Sequence, residues 1–478
     1  MEDDQGKPNE EEPQDFLEQF LQGFLGPQAG EEAARAMREQ GFDISAMGNF
    51  ASPGAMAQAM NQFRFLMDSS SGPVNWRMVE DIGRQMAYQS GDPRLSAAQS
   101  GQVRQVLSVA DLWLDPVTDF TMRGSEREAW TRAEWVDQTL PAWKNVFNPI
   151  AENVARAMGE SIQSQIGDGA MVPEEMSGMI GSLSNMIPKI SAVSFGAQIG
   201  QALSAMAKDS FGTSDAGFPL TQPGIAALVP TNIAAFAEGL DDDFATIQQY
   251  VAVREVAHAR LLASVPWLRH DLELAVIRYA QEIALDDDAI ADAARSIDPS
   301  DPESLQRAMN GGVFATEATE DQARALQRLE TLLSLIEGWV ETVTATAVAP
   351  YLPNADRLRE LIRRRRVTGS SADKLLGELV GLKLRPRQAR GAAHIFRNLE
   401  IEGGPGARDS VWAHPDFVPT SEDLENPIQF HASGTAVVAE QDSEFDREMQ
   451  KLLEGTLEWD ENVPEDLRSA EEPHEDEE

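Results

Sequence analysis

Five consecutive residues, Arg254-Glu255-Val256-Ala257-His258, have types and spacing that could do chemistry. The spacing is that of H-E-x-x-H. In that motif two His at i and i+4 share one helix face and hold Zn²⁺, while the Glu beside the first polarises a metal-bound water. Here the Glu and the second His are present, and Arg254 stands where the first His belongs. The six His are His258, His270, His394, His414, His431 and His474, and no two of them form an H-x-x-x-H pair. His270 is separated from His258 by Pro266 and Trp267, so the two fall on different segments. A lone helical His is more often a satisfied polar residue than a ligand, and a five-residue string arises readily by chance.

The elements that must position this string follow from apolar periodicity. Val251 to Leu272 reads as one amphipathic helix, a Pro-Trp turn and a second helix. The first begins at Phe244, after Asp241-Asp242-Asp243, and the second continues through Ile283. Upstream, helices are expected at 74–89 and at 96–114, the latter with Ser96 as N-cap and Asp115-Pro116 as stop. Segment 126–140 carries Trp130 and Trp135 and is expected to pack in the core, with a further helix at 148–166 beyond Pro141-Ala142-Trp143. A small-residue helix over 180–211 contains Gly196 and Gly200 in a small-xxx-small pattern, and a short strand is expected at 225–229. Downstream, helices are expected from Asp286-Asp287-Asp288, within 298–312, and at 321–347, 355–366, 372–381 and 387–402. The Arg363-Arg364-Arg365-Arg366 run is the basic last turn of its helix, favourable to the helix dipole. Sparse strand signals make the chain mainly α.

Composition narrows the function classes. At 478 residues with 42% hydrophobic content and nine Trp, the chain can fill a real core. It has no Cys, which excludes disulfides, thiolate zinc sites and Cys nucleophiles. A formal charge of −40 argues against nucleic acid and anionic membrane as partners. The opening residues have neither the basic nor the apolar region of a signal peptide, and no apolar run reaches membrane-spanning length, so a cytoplasmic protein without stable membrane insertion is expected. There is no G-x-S-x-G elbow, no phosphate loop and no dinucleotide fingerprint.

The wider context resembles the zincin-like metallopeptidase family of actinobacteria, proteins named as hydrolases without a defined function. The resemblance runs through REVAHARLLASVPWL, IEGWVETV at 336–343, AVSFGAQIGQALSAMA, LIRRRRVTG, VGLKLRPRQ and VWAHPDFVPTSEDL, spanning roughly residues 74 to 427. It implies a multi-helix zincin-like domain over 74–427 with few or no strands. It leaves a disordered acidic stretch at 1–14, loosely packed helical segments at 15–73 and an acidic, largely disordered tail at 428–478. It also implies a role for each matching residue: Glu255 as catalytic base, His258 as second metal ligand and Glu337 as third. Arg254 departs from the first ligand, a substitution that resembles a branch of the family with R-E-x-x-H.

That departure disfavours metal. A catalytic zinc takes about three protein ligands plus water, and an Arg is never deprotonated in practice. At about 4 Å and an effective dielectric near 20, a like-charge contact costs roughly 4 kcal/mol, and about twice that for a divalent ion. Arg254 is therefore expected to replace the metal electrostatically, reaching Glu255 or Glu337 in a charge-assisted contact. The favoured expectation is a metal-free family member acting as a binding or scaffolding protein with a protein or peptide partner. The alternative is an active zinc-dependent hydrolase, with Glu255 as base, His258 and Glu337 as ligands, and His270, Glu341 or a partner supplying the missing one. A third reading makes the small-residue helix around Gly196 and Gly200 a membrane or assembly surface.

Overall fold

The computed structural model describes residues 72–122, 126–167, 174–215, 217–282, 319–367, 377, 388–428 and 430. The acidic N-terminal stretch, the helices expected within 15–71, those expected after Asp286 and within 298–312, nearly all of the 372–381 helix and nearly all of the C-terminal tail lie outside the described residues.

The described chain is mainly helical: α1 (Trp76–Gln89), α2 (Ala97–Leu114), α3 (Arg132–Gly167), α4 (Glu174–Asp209), α5 (Pro230–Ala237), α6 (Phe244–Ser264), α7 (Pro266–Gln281), α8 (Glu320–Val348), α9 (Ala355–Val367), α10 (Ala389–Ser410) and α11 (Ser421–Glu425). Local chemistry sets several starts. Ser96 caps α2 in a reciprocal box with Gln99, as its position before the apolar run predicts. Asp243 caps α6 by accepting from the Thr246 amide at 2.9 Å. Pro266 stands at the first position of α7, where its missing N–H costs nothing.

Two short strands, β1 (Glu126–Ala129) and β2 (Ile225–Leu228), form a parallel pair with Glu126 opposite Ile225 and Ala129 opposite Leu228. The second is the strand expected at 225–229. The first has no β-branched or aromatic residue, so nothing in its own composition announces it; its conformation comes from the backbone bonds to β2. Segment 126–140 therefore divides into strand and helix. Beyond it, α3 runs unbroken through Pro141 and Pro149, where the sequence suggests two pieces. Each Pro forfeits a helix bond. Burial of Trp135, Val136, Trp143, Phe147 and Ile150 on the same helix outweighs that loss.

The small-residue face of α4 is covered from within the chain. A methyl added at Gly196 would lie 2.8 Å from the Asn75 carbonyl oxygen, and one at Gly200 would lie 3.0 Å from Ile82 Cβ. The glycines let α1 seat directly on α4, and the pattern serves an intramolecular seam. Among the described residues, no helix is long and apolar enough to cross a membrane.

Helix α6 occupies the centre. Every residue from Tyr250 to Leu261 is buried, and α8 is buried continuously from Thr331 to Thr344. A helix buried all round has no solvated face on which to place polar side chains. The Arg254, Glu255, His258 and Arg260 side chains must therefore find partners inside the protein.

Candidate functional site

Arg254 and His258 both face α8, while Glu255 and Arg260 turn to other elements. Arg260 donates to Asp111 Oδ1 from Nε at 2.8 Å and to Asp115 Oδ1 from Nη2 at 2.6 Å, fastening α6 to α2. This pairing lies away from the motif and secures its helix.

Arg254 points toward α8. Its Nη2 donates to Glu337 Oε1 at 2.6 Å, and both side chains are only 7% exposed. Burial, the largest single influence, would lower the guanidinium pKa, but Glu337, Tyr250 and Glu341 together outweigh it, so the cation is held more firmly than in water. Of the two acids within reach on sequence grounds, Glu337 is the one that takes the charge.

His258 lies one turn after Arg254. Its Nδ1 is 2.9 Å from the Arg254 carbonyl oxygen. A carbonyl only accepts, so Nδ1 carries the proton and Nε2 faces Glu337 Oε2 at 4.0 Å. A metal-ligating His is oriented by this same backbone bond.

Glu255 turns away from α8 and into the loop that follows α4. Its Oε1 accepts from the Thr213 amide at 2.9 Å and from the Thr213 hydroxyl. Its Oε2 accepts from the Ser214 hydroxyl at 2.5 Å and the Ser214 amide at 3.3 Å. Burial pushes this carboxyl up most strongly, the Ser214 and Thr213 hydrogen bonds pull it down, and nearby Asp215 raises it again; the net shift is upward. The approach depends on Gly212: a methyl there would lie 2.6 Å from Glu255 Oε2 and 2.5 Å from the Ala227 carbonyl oxygen.

Glu341, one helical turn beyond Glu337, is also buried, but it belongs to Arg363 of α9. Arg363 Nε donates to Glu341 Oε2 at 2.7 Å and its Nη2 donates to Oε1, a bidentate pair. The basic run therefore does more than complement a helix end. Arg365, two residues on, donates to the Asp209 carbonyl oxygen, lies 3.6 Å from Asp215 and covers the Phe211 ring at 3.8 Å. It anchors the loop that holds Glu255. His270 is exposed on α7, outside this cluster.

The structure thus brings together Arg254, His258, Glu337 and, through a parallel ion pair, Glu341. It sends Glu255 to the uncharged donors of Thr213 and Ser214, and it leaves His270 at the surface. Gly212, Thr213, Ser214, Arg363 and Arg365 also build the site. The arginines lie in a visible basic tract; a buried loop of small polar residues leaves no comparable mark.

As a metal site, the donor set falls short. His258 and Glu337 supply one nitrogen and one carboxylate, Arg254 engages that carboxylate from the first-ligand position, and both Glu255 oxygens are taken by loop donors. Among the described residues, no cluster of three His, Asp or Glu side chains is arranged to hold a metal ion. These residues do not fit a catalytic zinc with three protein ligands.

The profile of a family described as zincin-like metallopeptidase matches residues 74–431. Among solved structures, the chain is similar to one described as "a putative hydrolase with a novel fold" from Chloroflexus aurantiacus, at a TM-score of 0.50 and 16% identity over 74% of this chain and 97% of that one. At that identity the likeness concerns the fold. No curated protein matches the sequence.

Proposed function

The chain belongs to the zincin-like metallopeptidase family, and we propose that it is a metal-free member in which an ion pair stands where the metal would be. The observation that carries this reading is the contact of 2.6 Å between Arg254 and Glu337, with both side chains buried. An Arg is a permanent cation with directional donors. At this position it neutralises Glu337 and links α6 to α8, which is the mechanical part of what a metal would do. It supplies no open coordination position and no activated water. Glu255, in turn, has all its near hydrogen-bonding capacity committed to Thr213 and Ser214. It serves as the post to which the loop after α4 is tied.

A site so arranged holds elements in place, and the role we assign is binding or scaffolding, with a protein or peptide partner. Metal analysis tests it. The purified protein should contain no stoichiometric zinc and take up none on titration, whereas Arg254→His should gain a site. Stoichiometric zinc in the unaltered protein, lost on His258→Ala, would overturn the reading in favour of a zinc-dependent hydrolase. That second reading draws its support from the orientation of His258, whose Nε2 already faces Glu337 Oε2 at 4.0 Å.

A further inference from the structure

Close to this site lies a partly buried cation of a different kind. Arg269 of α7 lies beneath the chain that enters β2, donating from Nη1 to the Pro219 carbonyl oxygen at 3.2 Å and from Nη2 to that of Thr221. Its Nε is buried without a hydrogen-bond partner. The neighbouring arginines are neutralised directly: Arg254 by Glu337, Arg260 by Asp111 and Asp115, Arg363 by Glu341. Among the described residues, no carboxylate lies within ion-pair distance of Arg269, in a chain whose formal charge is −40. A guanidinium partly withdrawn from water and bonded to backbone carbonyls is incompletely compensated. Burial accordingly lowers its pKa, against an opposing pull from Glu273.

Arg269 also lines a pocket, together with Ser214, Phe218, His258, Ala259 and Leu262. The enclosed part has room for about one water molecule, and the rest is open. Its lining combines apolar side chains with a cation, a hydroxyl and an imidazole. We propose that this pocket binds the carboxylate of a ligand that carries an apolar group beside it, a free peptide C-terminus being the chemical form that has both. The carboxylate compensates Arg269, and the neighbouring side chain lies against Leu262 in the open part. Fork-shaped donors match a planar carboxylate better than a neutral amide. This inference names the ligand class for the binding role proposed above and rests on that role. It does not depend on the metal content of the Arg254 cluster, so the zinc titration and the experiment below can fail separately.

The test uses the full chain with ¹³C-labelled His, read by NMR, and two probes, N-acetyl-leucine and N-acetyl-leucinamide. The acid should shift the His258 resonance saturably and the amide should not. Arg269→Gln should weaken the acid by about tenfold or more. Because that change also removes bonds to Pro219 and Thr221, Leu262→Trp provides a second variant that fills the apolar side and leaves those bonds intact. It too should lose binding while keeping the wild-type unfolding midpoint. No saturable shift in the wild type, an equal response to the amide, or wild-type affinity in either folded variant would overturn the proposal.

Discussion

Glu255 and Glu337 are both buried acids on the central helix pair, and they are accommodated in opposite ways. Glu337 meets a permanent cation, Arg254, across a contact of 2.6 Å. Glu255 meets only neutral donors, two hydroxyls and two amides from Thr213 and Ser214. The first arrangement cancels charge, while the second solvates it without cancelling it. Hence Arg254 is held charged and the carboxyl of Glu255 is pushed up. On two packed helices, then, the chain uses both ways of keeping an acid out of water.

The sharpest way to break the comparison is to remove the cation. Arg254→Leu takes away the guanidinium that meets the buried Glu337 carboxylate at 2.6 Å, and should cost about 3–5 kcal/mol in urea unfolding. Adding Glu337→Leu should recover most of the loss, because an apolar pair needs no compensation. A double variant no more stable than the single would show that Arg254 acts through packing rather than charge.

The neutral side should respond less. Glu255→Gln keeps the shape but turns one acceptor into a donor facing hydroxyl and amide donors, an expected loss of about 1–3 kcal/mol. Gly212→Ala pushes a methyl against Glu255 and the Ala227 carbonyl, with a similar loss of about 1–3 kcal/mol. If either matches the effect of Arg254→Leu, the distinction between cancelled and solvated charge fails.

Acidity gives the smallest and most diagnostic difference. The folded protein holds the Glu255 proton more tightly than the unfolded chain, whose carboxyl has the ordinary value of 4.5. A charged Glu255 therefore costs stability above its raised folded value. That cost is relieved as the pH falls through this value toward 4.5. As the pH falls toward 4.5, unfolding midpoints should move in favour of the wild type relative to Glu255→Gln. A constant gap would mean that the four donors fully offset burial.

Much of this arrangement could be read from the residues. The periodicity around Val251–Leu272 places the Pro-Trp turn between two helices, and the capping chemistry of Ser96 and Asp243 marks where α2 and α6 begin. The spacing of Arg254, His258 and a distant Glu337 could be assembled only through a family resemblance, because Arg254 and its acid are 83 positions apart. Three features escaped. β1 consists of Glu126-Arg127-Glu128-Ala129, whose local preference is not for strand, so only the pairing with β2 makes it one. The two prolines of α3 signal an interruption that tertiary burial overrides. The loop at Gly212–Ser214 has no periodicity, and its role rests on a three-dimensional approach to Glu255. Arg363 shows a related limit: a basic helix end satisfies the dipole rule whether or not one of its members reaches a buried acid.

The seat of α1 on Gly196 and Gly200 sets a lower limit on how far the chain can be shortened. A fragment beginning after Gln89 would strip the cover from the small-residue seam of α4, where Ala192, Ile199 and Leu203 are now buried. Newly wetted apolar surface of that kind drives self-association. In proteolysis, the first turn of α1 should be the boundary between trimming that leaves a well-behaved protein and trimming that leaves an aggregating one.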